Sequence, residues 1–269
     1  MAESVRVQAD VPYLADGSAR HTLDLYLPEA SQGPVPLAVY VHGGAWRVGD
    51  KAEFKHVAMG LMEAAGQQLA VAVVNYELST RAADSVRHPA HLHSVAAALS
   101  FLVADNRCPG RGTTIDCTRV YLVGHSAGAH LLMLLALGPH PEFPHMDAIR
   151  GAIGIGGIYD IPRLLAAYPD YCDFVDMAFA PDQREPASPI HAAHTVHDAA
   201  RHVRFLVVHS TGDELVNADQ ALAFTSQLVH AGYGNVTLAV RDLGLHDAAI
   251  GYHEFWRMVA ALIDEPPST

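Results

Sequence analysis

The chain has 269 residues, half of them hydrophobic, with three cysteines and a formal net charge of −12. That charge disfavours nucleic acid and anionic membrane surfaces as partners, and no uncharged apolar run reaches the roughly 18–20 residues that a membrane helix needs. An odd cysteine count gives no disulfide framework: Cys108 and Cys117 flank one loop and either pair or, as cytosolic usage favours, stay reduced.

In chain order, residues 5–11 and 22–27 alternate around the turn Ala15-Asp16-Gly17-Ser18 and predict an antiparallel hairpin. The segment Met1-Ala2-Glu3-Ser4-Val5-Arg6 lacks the basic-then-apolar layout of a secretory leader, so a cytoplasmic protein is expected. Residues 37–41 start a main sheet, 53–65 follow as helix, 69–74 as strand, and 89–104 as helix with a proline in its first turn. The polar stretch 80–88 is expected as a loop near the active face. Strand 119–123 leads into an apolar helix, and the Gly-rich strand 151–155 comes next. Residues 159–202, with several prolines, read as a small cap-like insertion; strands 204–209 and 236–240 and a closing helix 252–263 complete the set, and 265–269 form a frayed tail. Strands alternating with helices imply the α/β class: one domain over 1–269, a mostly parallel twisted sheet with an N-terminal antiparallel hairpin, and helices on both faces.

The most informative stretch is Val120-Tyr121-Leu122-Val123-Gly124-His125-Ser126-Ala127-Gly128-Ala129-His130. An apolar strand runs into Gly-x-Ser-x-Gly and then into a helix, the context of a nucleophile elbow. A Cβ at Gly124 or Gly128 would meet the neighbouring strand or helix. Ser126 is the candidate nucleophile, and the Ala127 N–H, at the helix start, faces any oxyanion that forms.

A serine hydroxyl needs a base and a group to orient that base. Asp213 follows the buried strand 204–209, in Ser210-Thr211-Gly212-Asp213-Glu214. His246 follows strand 236–240, and the 33 residues between the two fit a helix, a strand and two loops. Asp213 as a turn residue or helix N-cap is the plainer alternative; Glu214 and Asp219 are rival acids, and His253 is a rival base expected on the closing helix. A third element is Val39-Tyr40-Val41-His42-Gly43-Gly44-Ala45-Trp46, about 80 residues upstream of the elbow. Its glycines let backbone N–H groups approach a carbonyl, which makes Gly44, with Gly43 as an optional contributor, the second oxyanion donor.

This combination resembles the kynurenine formamidases (arylformamidases) of the fungal HGGxW type, which belong to the α/β-hydrolases. The resemblance runs from about residue 20 to 260 through His42-Gly43-Gly44-Ala45-Trp46, Gly49-Asp50-Lys51, Asn75-Tyr76-Glu77-Leu78, the elbow, Gly156-Gly157-Ile158-Tyr159-Asp160, Ser188-Pro189 and the acid and base loops. Esterases of the hormone-sensitive lipase group usually carry HGGG, so Ala45 departs from their pattern. The resemblance implies hydrolysis of the formamide bond of N-formyl-L-kynurenine in tryptophan breakdown along the kynurenine route to NAD, by Ser126, Asp213 and His246. It implies no metal and no organic cofactor, and a small aromatic formamide as partner; a homodimer is left open.

Candidate substrate contacts are His42, Trp46, Tyr159, Tyr171 and Phe174, with Phe179 beside them; for each the plainer reading is packing. Trp46 either stiffens the oxyanion loop or faces the substrate, and His42 either bonds loop backbone or touches substrate. His191, His194 and His197 recur every third residue, but without acidic or Cys partners nearby a solvated face is expected rather than a metal. Two further functions stay open: a carboxylesterase acting on small acyl esters, and a non-catalytic ligand-binding protein on a hydrolase scaffold. The intact Ser126, Asp213 and His246 set argues against the second of these.

Overall fold

The structure, a computed structural model, describes residues 5–29, 31, 33–82, 85–104 and 114–264. Eight strands make one sheet: β1 (Val5–Pro12), β2 (Thr22–Pro28), β3 (Val35–Val41), β4 (Ala70–Val74), β5 (Ile115–His125), β6 (Ile149–Ile155), β7 (Arg204–Ser210) and β8 (Val236–Arg241). Their order is β1-β2-β4-β3-β5-β6-β7-β8. The β1–β2 and β2–β4 pairs are antiparallel and the others parallel, so the expected hairpin edges an otherwise parallel sheet. This is the α/β-hydrolase fold.

The central strands β3 and β4 are apolar and buried along their whole length because both faces are covered. Leu37, Val39 and Val41 of β3 face one core, shared with α2 (Ala90–Val103), α3 (Ala127–Ala136) and α7 (Ala218–Ala231). Ala38 and Tyr40, one residue out of step, face the other core, shared with α1 (Lys55–Ala64) and α8 (His253–Asp264). Among the described residues no helix is long and apolar enough to cross a membrane.

The predicted helix over 53–65 starts later than expected. Asp50 Oδ1 accepts from Ala52 N, capping a 3-10 turn over Lys51–Phe54, and the α-helix begins only at Lys55. Between β6 and β7 the chain forms α4 (Ile161–Ala167), α5 (Cys172–Ala178), α6 (Pro189–Ala192) and three 3-10 turns. Cys108 and the tail 265–269 lie outside the described residues.

Candidate active site

All the loops that matter leave the same end of the parallel sheet. After β5 the chain turns at Ser126 with φ 53° and ψ −119°, left-handed backbone that costs a non-glycine residue on the order of 1 kcal/mol or more. The surroundings enforce it. Ser126 N donates to Ile155 O at 3.0 Å, extending the β5–β6 ladder past the strand end. A Cβ on Gly128 would sit 2.1 Å from Val41 O, so α3 can pack this close to β3 only with glycine there.

Asp213 and His246 come together from the loops after β7 and β8. His246 Nδ1 lies 2.7 Å from Asp213 Oδ2, and both side chains are buried. Burial alone would raise the Asp213 pKa. The hydrogen bond and charge of His246, with the N–H donors of Val216 and Leu215, outweigh it and hold the carboxyl below its ordinary value. The loops are tied further back: Ser210 Oγ donates to Gly244 O and accepts from Gly212 N and Leu243 N. The rival acid Glu214 has another place, accepting the His246 backbone N–H at 2.9 Å. The N-cap position of helix α7 is Asn217, whose side chain makes no capping bond, and not Asp213. The rival base His253 is exposed and packs edge-on to Trp256.

The dyad reaches the elbow through two contacts that sequence reasoning missed. His125 donates from Nε2 to His246 O at 3.2 Å, its ring 4.6 Å from that of His246. Burial, with His246 beside it, drops the His125 pKa to about 3, so it is neutral there. Gly156, at φ 57°, passes so near that a Cβ would stand 3.1 Å from both Asp213 Oδ2 and the His246 ring. In the sequence it stands only as the first residue of the Gly156-Gly157-Ile158-Tyr159-Asp160 motif, with no role attached to it. Among the described residues no hydrogen bond joins Ser126 Oγ to His246; such contacts commonly tighten when substrate seats.

The loop 42–49 covers the elbow. Gly43 approaches so closely that a Cβ would lie 3.0 Å from Ser126 Cβ. Among the described residues neither the Gly44 nor the Ala127 N–H has a protein acceptor. The loop is braced from below. Tyr76 Oη donates to His42 O (3.1 Å) and Gly43 O (3.3 Å), and Asn75 Oδ1 accepts from Lys51 N. The buried Lys51 ammonium sits between Asp10 and Asp24 at 2.6 and 2.7 Å. The separate motifs Gly49-Asp50-Lys51 and Asn75-Tyr76 thus serve one purpose, holding this loop.

Three of the five candidate substrate contacts are interior. Trp46 is fully buried; its Nε1–H donates to His130 Nδ1 at 3.3 Å, and His130 donates from Nε2 to Ala187 O. His42 is buried, bonded through Nδ1 to Gly43 O and stacked between Phe54 and Tyr76. Tyr159 is buried and stacked at 4.4 Å on Phe224 of α7, and Phe179 is buried against Trp46. These rings brace the loop and the core, the plainer of the two readings. Tyr171 and Phe174 keep exposed surface. His191, His194 and His197 are exposed. His125, His246 and Asp247 bring one ligand atom each within 4.8 Å, but both histidines already spend a ring nitrogen on Asp213 Oδ2 or His246 O.

The chain is similar to several known proteins. Over 68% of this chain and 67% of its own length, the kynurenine formamidase of Meyerozyma guilliermondii is 30% identical. The chain belongs to the kynurenine formamidase family. The kynurenine formamidase avaC of Aspergillus versicolor is 29% identical over 92% of this chain and 95% of its own. The prolyl oligopeptidase family model matches residues 109–264, more than half of the chain, which places it within that broad family, and the BD-FAE model matches residues 23–150. Esterase LipQ of Mycobacterium tuberculosis is 28% identical over 96% of this chain and 61% of its own. Among solved structures, a truncated carbohydrate esterase from gut microbiota superposes with a TM-score of 0.78 at 17% identity, covering 98% of this chain and 97% of that one, and shares the fold.

Proposed function

We propose that the protein is an arylformamidase that hydrolyses N-formyl-L-kynurenine to L-kynurenine and formate. The observation that carries this reading is the buried Asp213–His246 pair beside a strained Ser126, under a braced His-Gly-Gly-x-Trp loop, in a chain of the kynurenine formamidase family. Asp213 Oδ2 accepts a hydrogen bond from His246 Nδ1–H, which holds the tautomer whose Nε2 lone pair is free for Ser126. Ser126 Oγ attacks the formyl carbon and its proton passes to His246. The tetrahedral oxyanion is held by the N–H groups of Gly44 and Ala127, with Gly43 as a third donor. His246 then gives its proton to the departing aniline nitrogen, leaving a formyl ester on Ser126. Water, deprotonated by His246, attacks that ester, and His246 returns the proton to the departing Ser126 Oγ as formate is released.

The close approach of Gly43 supports a small acyl group: a Cβ there would stand 3.0 Å from Ser126 Cβ, so the loop lies close against the serine. Similarity to Esterase LipQ over 96% of the chain favours one second reading, a carboxylesterase for small acyl esters with the same machinery. Steady-state rates on N-formyl-L-kynurenine and p-nitrophenyl acetate decide between them. The formamide is expected to have the larger kcat/KM; an ester advantage by a wide margin reverses the assignment.

A further inference from the structure

A ladder of rings spans the two loops that flank Ser126. Tyr171 Oη donates to Leu215 O at 3.0 Å, two residues beyond Asp213. Its ring lies 4.9 Å from Phe174 on one side and stacks at 4.9 Å on Tyr168 on the other. Phe174 in turn lies under the Arg47 guanidinium, 5.1 Å from Cζ to the ring centroid, and 6.5 Å from Trp46. The ladder therefore begins on the acid loop and ends on the residue after the His-Gly-Gly-x-Trp motif. Tyr168, Tyr171 and Phe174 are only half-buried, so ring surface stays open to a ligand.

Charge is unbalanced at the Arg47 end. Arg81 Nη2 stands 2.7 Å from both oxygens of Asp173, whereas Arg47 Nη1 reaches the same carboxylate only at 3.5 Å. Two guanidinium groups share one carboxylate, which leaves one positive charge in excess on a chain of net charge −12. Such a chain repels anions at long range, so an anionic ligand requires a local cation of this kind. Arg47 is exposed and loosely held, and its planar fork matches a carboxylate with two parallel N–H bonds.

We propose that Arg47 is a specificity-determining residue that takes the carboxylate of the leaving group, while Tyr171 and Phe174 take its aromatic ring. The proposal rests on the arylformamidase reading for its substrate: the amine released from N-formyl-L-kynurenine bears both an aromatic ring and an amino-acid carboxylate. As that carboxylate arrives, Arg47 gives up its 3.5 Å contact and Asp173 keeps its fork to Arg81.

Arg47→Ala and Arg47→Lys are compared with the unaltered chain on N-formyl-L-kynurenine and on 2′-formamidoacetophenone, which keeps the aryl ketone and lacks the amino acid. Arg47→Ala should raise KM for the anionic substrate about tenfold or more, with kcat changed by less than about twofold. The neutral formamide should be hydrolysed at close to the original KM, and Arg47→Lys should recover part of the lost affinity. An equal change on both formamides, or none on the anionic one, overturns the proposal. A second pair, 3-acetoxybenzoate and phenyl acetate, separates this failure from that of the arylformamidase reading. If esters prove the better substrates, that reading fails; a KM rise confined to the carboxylate-bearing ester then still upholds Arg47, and an equal rise on both esters removes it.

Discussion

Two parts of the molecule meet at Ser126 and are held by different means. The elbow and the loops after β3, β7 and β8 are fixed by strand-end backbone bonds, by glycines that admit no side chain, and by buried pairs such as His246–Asp213. The stretch from β6 to β7 is built of short helices and turns, and it packs Tyr159, Val175 and Phe179 into the core. It is tied to the body mainly by side-chain bonds, such as Arg81 on Asp173, Tyr171 on Leu215 O, His130 on Ala187 O and the Tyr159 and Asp160 N–H groups on Gln220 Oε1. Bond making demands groups held to within a fraction of an ångström. Selecting a substrate needs only complementary surface, which shorter elements supply. Changes in the first part should therefore act on kcat, and changes in the second on KM.

The largest expected effect is Ser126→Ala. In the proposed mechanism the nucleophile, base and oxyanion donors act as a unit, so kcat should fall by about 10⁴-fold or more while the circular dichroism spectrum stays that of the folded chain. More than about a tenth of the original rate would remove Ser126 from the mechanism. His253→Ala should leave the rate unchanged, because that side chain is exposed on α8.

Acid should next loosen the join between the two parts. His130 reaches from α3 to Ala187, and His88 and His91 pack with it around Phe179. Burial, with the neighbouring histidines, lowers their pKa values to about 3 for His130 and His91 and about 4 for His88. The unfolded chain takes up these protons below pH 6.5, its ordinary histidine value, whereas the folded chain refuses them. The neutral histidines thus cost no stability above pH 6.5, and stability is lost progressively as pH falls from 6.5 toward the folded values. Near pH 5.5 the loss should be about 1 kcal/mol for each deeply buried histidine. Urea unfolding at pH 7.5, 6.5 and 5.5 measures it, and hydrogen exchange should show residues 156–203 losing protection before the strands. A flat stability across that range would contradict it.

Gly44→Ala strikes the rigid part through its backbone. At φ 101° a Cβ would fall 2.1 Å from Val48 O, so the loop must shift and carry its N–H away from the carbonyl. A kcat loss of about 10²-fold is expected, with KM changed far less. Phe174→Ala tests the opposite side: KM for the aryl substrate should rise about fivefold with kcat nearly constant. A kcat loss from Phe174→Ala as large as that from Gly44→Ala would dissolve the contrast between the two parts.

The same contrast explains what could be read from the sequence. Gly124, Ser126 and Gly128 lie within five residues, and Asp213 and His246 each follow a recognisable strand, so the tight turn after β5 and the two loops that meet beside it could be placed in order. Contacts between distant positions were not. Trp46 finds His130 across 84 residues and Arg81 finds Asp173 across 92, and no local pattern announces either. Burial was equally silent: for Tyr159 and Phe179 the sequence left a pocket wall and simple packing both open, and their rings lie in the core under the loops. Gly156 stood in a motif shared with the formamidases without a role, whereas its missing side chain makes room for Asp213 and His246.

The smallest effect separates the sequence expectation from the structure most sharply. Ala45→Gly recreates the esterase-like HGGG and, read from sequence, adds freedom to the oxyanion loop. Ala45 however sits at φ 51° and Trp46 at φ 57°, two left-handed non-glycine residues in succession. Glycine at 45 relieves about 1 kcal/mol of strain, offset by roughly 0.5–1 kcal/mol of added unfolded-state entropy. The loop should stay in place because the buried Trp46 ring, its bond to His130 and the Ser79 N–H on Trp46 O anchor the next residue. Ala45→Gly is thus expected to leave Tm within about 2 °C and to change turnover of formamide and ester alike by less than about twofold. A selective loss on the arylformamide would instead make the Ala45 methyl a substrate contact. In that case the division between a rigid reacting part and a selecting segment would run through the loop itself.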